Sequence, residues 1–259
     1  QSDKYRAFAA LHVPGDPVIL FNAWDAGSAK VVAEAGAKAI ATGSASVAGA
    51  HGFTDAEGLP IGLALANAAR VVGAFDLPEA IRLYLAILRV APDLEIAKDN
   101  LCLATLAAGD YERGFRLYDR RFERALGRVE KPRLPMPEWR GEDIAGASLL
   151  VWPEQGFGDQ IMFARFAVAL RRRGVKVTLA APPQLTRLFE SLPLPVVADR
   201  GAASAPRHDY WVMSGSLPGR MGITAQTLPR DTGLPQTPWV ADGAVAGQDG
   251  ARLGRGVLV

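Results

Sequence analysis

Two glycines and an aspartate that follow an apolar run are residues whose spacing could do chemistry. Leu149-Leu150-Val151-Trp152 leads through Pro153-Glu154-Gln155-Gly156-Phe157-Gly158 into Asp159-Gln160 and a helical pattern that continues to Arg172. Glycines let backbone N–H groups face a ligand at the carboxyl edge of a parallel sheet, where open α/β folds bind substrates. Asp159 opens the helix, and the positive helix end favours its ionised form. Such a carboxylate can deprotonate an acceptor hydroxyl as a sugar is transferred to it. It can also do no more than cap its helix, and the pattern leaves both roles open. Gln155, Gly156, Gly158 and Gln160 are the accompanying candidate binding residues. Arg165 would meet phosphate or sugar groups only if it faces the same crevice. A phosphate-gripping loop is excluded, because the Lys-Ser/Thr ending is absent, and the third glycine of a dinucleotide fingerprint is missing.

The elements that must position this loop read as β–loop–α–β. Ala147–Trp152 is a strand, Asp159–Arg172 a helix, Val175–Ala180 a second strand, Pro183–Ser191 a short helix, and Val196-Val197 a third strand. Asp209–Val212 could be a fourth. Helices between short, nearly continuous apolar strands imply a parallel sheet covered on both faces. Upstream, residues 56–129 are helical: Leu63–Val72, Glu79–Val90 behind Pro78, Leu94–Ala108, and Tyr111–Leu126 after the Gly109-Asp110 turn. Helix pairs of this length are the unit of a solenoid. Residues 130–143 carry three prolines in six positions (Pro132, Pro135, Pro137), favouring an extended spacer. Residues 1–55 alternate weaker signals: a helix over Tyr5–Leu11, a β-rich run at Val18–Phe21, a helix over Ala26–Ala35 capped by Asp25, and a strand at Lys38–Thr42. Gly43–Ala50 reads as a loop or tight turn. The expected fold is therefore mixed α and α/β, with a βαβ-like fragment (1–55), helical hairpins (56–129), a linker (130–143) and a parallel-sheet domain (144–259).

Composition narrows the function classes. The 259 residues are 49% hydrophobic and 22% charged, with 29 Lys plus Arg against 27 Asp plus Glu. That balance, with Arg171-Arg172-Arg173 as the only dense basic run and no aromatic platform beside it, argues against nucleic-acid binding. One cysteine, Cys102, excludes an intrachain disulfide, and three scattered histidines give no zinc pattern. No apolar run reaches the roughly 20 residues of a membrane span, and no export signal is visible, so a cytoplasmic location is expected. No metal site and no cofactor are expected.

From about residue 60 onward the chain resembles bacterial proteins in which tetratricopeptide repeats precede a glycosyltransferase-like domain related to the heptosyltransferases. The residues are Ala80, Tyr84, Pro92, Leu101 and Gly109-Asp110-Tyr111-Glu112-Arg113-Gly114 with Tyr118 and Arg121 in the helices. Trp139-Arg140-Gly141, Glu154-Gln155-Gly156-Phe157-Gly158-Asp159-Gln160, Ala181-Pro182-Pro183-Gln184-Leu185 and Ser216-Leu217-Pro218 continue it. The resemblance implies a Rossmann-like acceptor half of a GT-B fold, a nucleotide-sugar and an acceptor as partners, and Asp159 as base. The donor half would begin near Gly256–Val259, so the chain is expected to be an acceptor half without turnover of its own. A non-catalytic role, with the helical repeats holding a protein partner, is the alternative from a different class.

The first 55 residues resemble another family, the isocitrate lyase/phosphoenolpyruvate mutase superfamily. The strings are Phe8-Ala9-Ala10-Leu11-His12-Val13-Pro14-Gly15-Asp16-Pro17, Asn22-Ala23-Trp24-Asp25-Ala26-Gly27-Ser28-Ala29, Ala41-Thr42-Gly43-Ser44-Ala45 and Gly52-Phe53-Thr54-Asp55. The resemblance implies the start of a (β/α)₈ barrel, with Ser44 and Ala45 in the loop that holds an α-keto acid and Asp55 near it. It also implies a magnesium-binding aspartate pair and a lysine–cysteine loop further on, and neither is found downstream: Cys102, Asp93 and Asp99 lie in the helical segment. A magnesium-dependent lyase or mutase is thus the third reading.

Overall fold

Two separate parallel sheets, with a stack of helices between them in sequence, organise the chain. A computed structural model describes residues 2–55, 58–124, 129–154 and 156–230. The N-terminal part contains α1 (Ser2–Ala9), β1 (Phe21–Ala23), α2 (Ala26–Glu34), β2 (Ile40–Thr42) and α3 (Ser44–Ala50). Asp25 caps α2 by accepting from the Ser28 N–H at 2.7 Å, while Ser28 returns a bond to the Asp25 N–H, the reciprocal arrangement that satisfies two orphan donors. β1 and β2 are parallel, with Phe21 opposite Ile40 and Ala23 opposite Thr42.

Two expectations shift here. The first strand is Phe21–Ala23, not Val18–Phe21, because only these residues are in register with β2, and Ile19 and Leu20 remain exposed. The Gly43–Ala50 stretch is helical. Ser46 Oγ donates to the Gly43 carbonyl, and Val47 and Ala48 are buried, so packing stabilises a seven-residue helix of small side chains.

Four helices follow: α4 (Ile61–Gly73), α5 (Leu77–Val90), α6 (Glu95–Ala107) and α7 (Tyr111–Tyr118). Connections of a few residues make successive neighbours antiparallel. Asp76 caps α5 by accepting from Glu79 N–H at 3.0 Å, and Asp110 caps α7 by accepting from Arg113 N–H at 3.2 Å. The helices approach closely because Ala69, Ala80 and Ala97 stand at the contacts, with Tyr84, Ile87 and Leu101 filling the space around them. The fourth helix ends at Tyr118, well short of Leu126, and continues as a 3-10 turn over Asp119–Phe122. That turn carries the Arg121 side chain into the interior.

The second sheet contains β3 (Ser148–Trp152), β4 (Lys176–Ala181), β5 (Val196–Ala198) and β6 (Tyr210–Met213), in the order β5-β4-β3-β6, all parallel. Helices α8 (Phe157–Arg172), α9 (Pro183–Phe189) and α10 (Leu217–Arg220) complete it. Alternate residues of β3 face opposite ways, as strand geometry requires. Leu149 and Val151 join Phe163, Phe166 and Leu170 of α8, whereas Leu150 and Trp152 join Trp211, Met213 and Met136. Met136 belongs to the proline-containing stretch, which is extended but is not a free spacer. Trp139 is 3% exposed, and its backbone N–H donates to the Trp211 carbonyl at 2.8 Å. Asp209 fastens the start of β6 to that of β3: its carboxylate accepts from the Ser148 N–H and hydroxyl at 2.8 and 2.7 Å, which holds its pKa below the usual range. The strand expected at Gly256–Val259 lies outside the described residues. No helix among the described residues is long and apolar enough to cross a membrane.

Candidate functional site

A cavity of about 630 Å³ opens where the carboxyl end of β2 meets α3, the Thr54-Asp55 turn and α4. Val47, Ala48, Leu59, Ile61 and Ala64 make its apolar walls, and Thr42, Ser44, Thr54 and Asn67 supply polar atoms. Asp55 is the only charged side chain that lines it among the described residues. Gly43 is there because space demands it: a Cβ would stand 2.8 Å from Ser46 Oγ and 3.3 Å from the Asn22 amide. Asn67 is 3% exposed and held from two sides. Its Nδ2 donates to the Trp24 carbonyl at 3.0 Å, and its Oδ1 accepts from Arg70 Nη2 at 3.1 Å.

Ser44 and Asp55, drawn from separate strings of the sequence, thus line one cavity. Thr42, Thr54 and Asn67 were not among the sequence candidates. Asn67 had a visible signal, as the lone polar residue in Leu63-Ala64-Leu65-Ala66-Asn67-Ala68-Ala69. The cavity straddles residue 55, so α4 serves both its wall and the helical layer.

The second group of candidates lies elsewhere, at the start of α8. Asp159 Oδ2 accepts from the Gly156 N–H at 3.3 Å, so the carboxylate caps its own helix. Gly156 has φ −75° and ψ 169°, open to any residue, and a Cβ on Gly158 would meet open space. Neither glycine is therefore required by its backbone or by a close neighbour. Arg165 turns back on its helix, with Nε donating to the Met162 carbonyl at 3.0 Å. Gln160 is buried, and Gln155 lies outside the described residues.

The dominant feature of this loop is Glu154, which is buried. It accepts from Arg121 Nε at 2.7 Å and Nη2 at 2.6 Å, and from the Gly215 N–H at 2.7 Å. Arg121 also donates to Asp119 and Ser216 at 3.0 and 2.9 Å, and its guanidinium lies over the Tyr118 and Phe122 rings. Burial works against the Arg121 charge, but the Glu154 and Asp119 carboxylates outweigh it and raise the pKa. The loop after β3 is thereby tied to the end of the helical layer.

A resident magnesium ion does not fit the residues present. Among the described residues no group of three or more His, Cys, Asp or Glu side chains could hold a metal ion. Asp55 brings a single carboxylate to the cavity, and Cys102 is buried in α6 with its thiol on the Gly114 carbonyl at 3.5 Å.

Comparison with known proteins bears on both groups. Residues 8–83 match the phosphoenolpyruvate phosphomutase family. The protein FlbA of Caulobacter vibrioides is 33% identical over 157 residues, which are 53% of this chain and 26% of FlbA. The chain thus spans about a quarter of the length of that curated relative. A solved structure from Burkholderia cenocepacia, described as a phosphonomutase, aligns over 84% of this chain and 94% of its own at 23% identity, with a TM-score of 0.29. At that score the alignment carries no argument about fold.

The N-terminal segment therefore resembles the isocitrate lyase/phosphoenolpyruvate mutase superfamily, and the whole is a mixed α and α/β fold with a βαβ-like start and packed helices. The sugar-transfer reading is overturned. The family signal is that of the phosphomutases, so the assignments as a transferase, a GT-B half and a tetratricopeptide protein fall with it. Asp159 as transfer base and a nucleotide-sugar partner fall for the same reason.

Proposed function

We propose that residues 8–83 form a phosphomutase-like segment that holds a small α-keto acid in the cavity between β2, α3 and α4. The observation that carries this reading is the convergence of Ser44 and Asp55 on one cavity within the segment that matches the family. In this reading the Ser44 hydroxyl donates to the ligand's carboxylate or keto oxygen. Thr42 and Thr54 offer further hydroxyls, and the apolar wall excludes water. The Asp55 carboxylate on the cavity wall repels an anionic ligand. Magnesium would supply charge neutralisation in such a site, but the residues present do not gather around one, and no bond-breaking step is assigned to this chain. We place the segment boundaries at 55, 129 and 143, with α4 shared between the first two.

Isothermal titration with pyruvate and oxalate, in EDTA and then in magnesium, tests the proposal. Binding in EDTA is expected, weakened roughly fivefold by Ser44→Ala, as one lost hydrogen bond of about 1 kcal/mol implies, and strengthened by Asp55→Asn. No binding under either condition overturns the reading. Binding only with magnesium overturns the metal-free form of it.

A further inference from the structure

A second cavity, of about 250 Å³, lies on the helical layer between α4, α5 and α6. We propose that it binds a small carboxylate with a short apolar tail. Three polar residues from three helices line it: Arg70 of α4, Tyr84 of α5 and Asn100 of α6. The remainder of the wall is apolar, with Leu77, Leu103 and Ala104 among the lining residues.

Asn100 gives the first reason. Its Nδ2 is buried, faces the Tyr84 phenol and makes no hydrogen bond of good geometry. An orphaned buried donor is destabilising unless something accepts from it, so an acceptor that enters the cavity recovers that cost.

Arg70 gives the second. Its Nη2 is committed to Asn67 Oδ1, a neutral acceptor, and its charge acts on the Asp25 carboxylate without a hydrogen bond or ion pair between them among the described residues. Guanidinium groups in such settings favour carboxylates, which accept more than one N–H in a planar fork. Tyr84, 2% exposed, adds a phenol to the same wall. The cavity thus presents one positive charge, an unused amide donor and no lining carboxylate, and its apolar wall suits a short hydrocarbon tail. A free aliphatic acid and the C-terminal residue of a peptide share this chemistry.

The site is distinct from the keto-acid cavity, although the Arg70–Asn67 bond joins the two through α4. Backbone amide shifts therefore separate them: Leu103, Ala104 and Ala107 report the new site, and Thr42–Ser44 report the other. Titration of the full chain with hexanoate, followed by such shifts, is the test. Hexanoate is expected to move the α6 amides, and the neutral hexanamide to bind at least tenfold more weakly.

Arg70→Gln and Asn100→Asp should each weaken hexanoate at least tenfold, with Arg70→Lys falling between Arg70→Gln and the parent, since it keeps the charge but not the planar fork. Unchanged shifts elsewhere in each variant confirm that it is folded. An acetylated tripeptide ending in leucine identifies the source. Binding tenfold tighter than hexanoate, lost on C-terminal amidation, assigns a polypeptide C-terminus; equal or weaker binding assigns a free acid. The proposal is overturned if hexanoate leaves the α6 amides unmoved, or if hexanamide binds as well.

Discussion

Cys102 shows how one side chain can report on its surroundings. Burial raises its thiol pKa from 9.0 to about 11, and the Sγ donates to the Gly114 carbonyl across the α6–α7 contact. A pKa raised in the folded state means that the neutral thiol is favoured there. This contribution to stability is complete below pH 9 and is lost as the pH climbs from about 9 towards about 11. Urea midpoints measured at pH 8 and pH 11 should therefore fall less in Cys102→Ala than in the parent chain. An equal fall in both would show that the thiol does not contribute. At the residue scale the sequence was partly legible. Ser44 and Asp55 were visible through the strings that carry the family resemblance, whereas Asn67 was missed although it interrupts an alanine-rich helix. Arg70 and Asn100 were not visible, because a polar residue on a helix gains meaning only from what the neighbouring helices place opposite it.

Between elements, α6 and α7 approach closely at Gly114. A Cβ on Gly114 would stand 2.5 Å from Leu106 Cδ2 and 3.2 Å from the Leu106 backbone nitrogen. The leucine tip can swing aside, but the backbone nitrogen cannot, so Gly114→Ala should cost about 1–3 kcal/mol. Equilibrium urea unfolding measures this directly, and a loss below about 0.5 kcal/mol would mean that the helices separate freely. Periodicity located most elements to within a residue or two, since long apolar faces leave few alternatives. It failed where tertiary contacts decide. Gly43–Ala50 has too little hydrophobic contrast to declare itself a helix, yet Val47 and Ala48 pack inward. Residues 130–143 read as a spacer because prolines favour extension, yet Met136 and Trp139 are buried along the sheet. The loop before Asp159 left capping and ligand binding both open from sequence, and the structure shows the aspartate capping its helix.

For the molecule as a whole, the ion pair between Arg121 and Glu154 connects the helical layer to the second sheet. Removing one partner leaves a buried charge uncompensated, which costs about 3–5 kcal/mol. Arg121→Met and Glu154→Gln should each destabilise the chain by that order. The double variant should cost less than the sum of the two, because each single change strands the other partner. Additive losses, measured by urea unfolding, would refute the coupling. This joint could not be read from sequence, since Arg121 lies in the 3-10 turn after α7 and Glu154 in the loop after β3, and no periodicity relates them.

Their spacing along the chain has a consequence for synthesis. Glu154 follows Arg121 by 33 residues, and Ser216 by 95. At ribosomal speeds of about 5–20 residues per second, roughly 5–19 s separate Arg121 from Ser216. Asp119 is beside the guanidinium from the start and Glu154 follows within 33 residues, but the Ser216 hydroxyl comes last. The helices can form as they emerge, but the full set of partners around their last turn is complete only when the chain beyond β6 has been made.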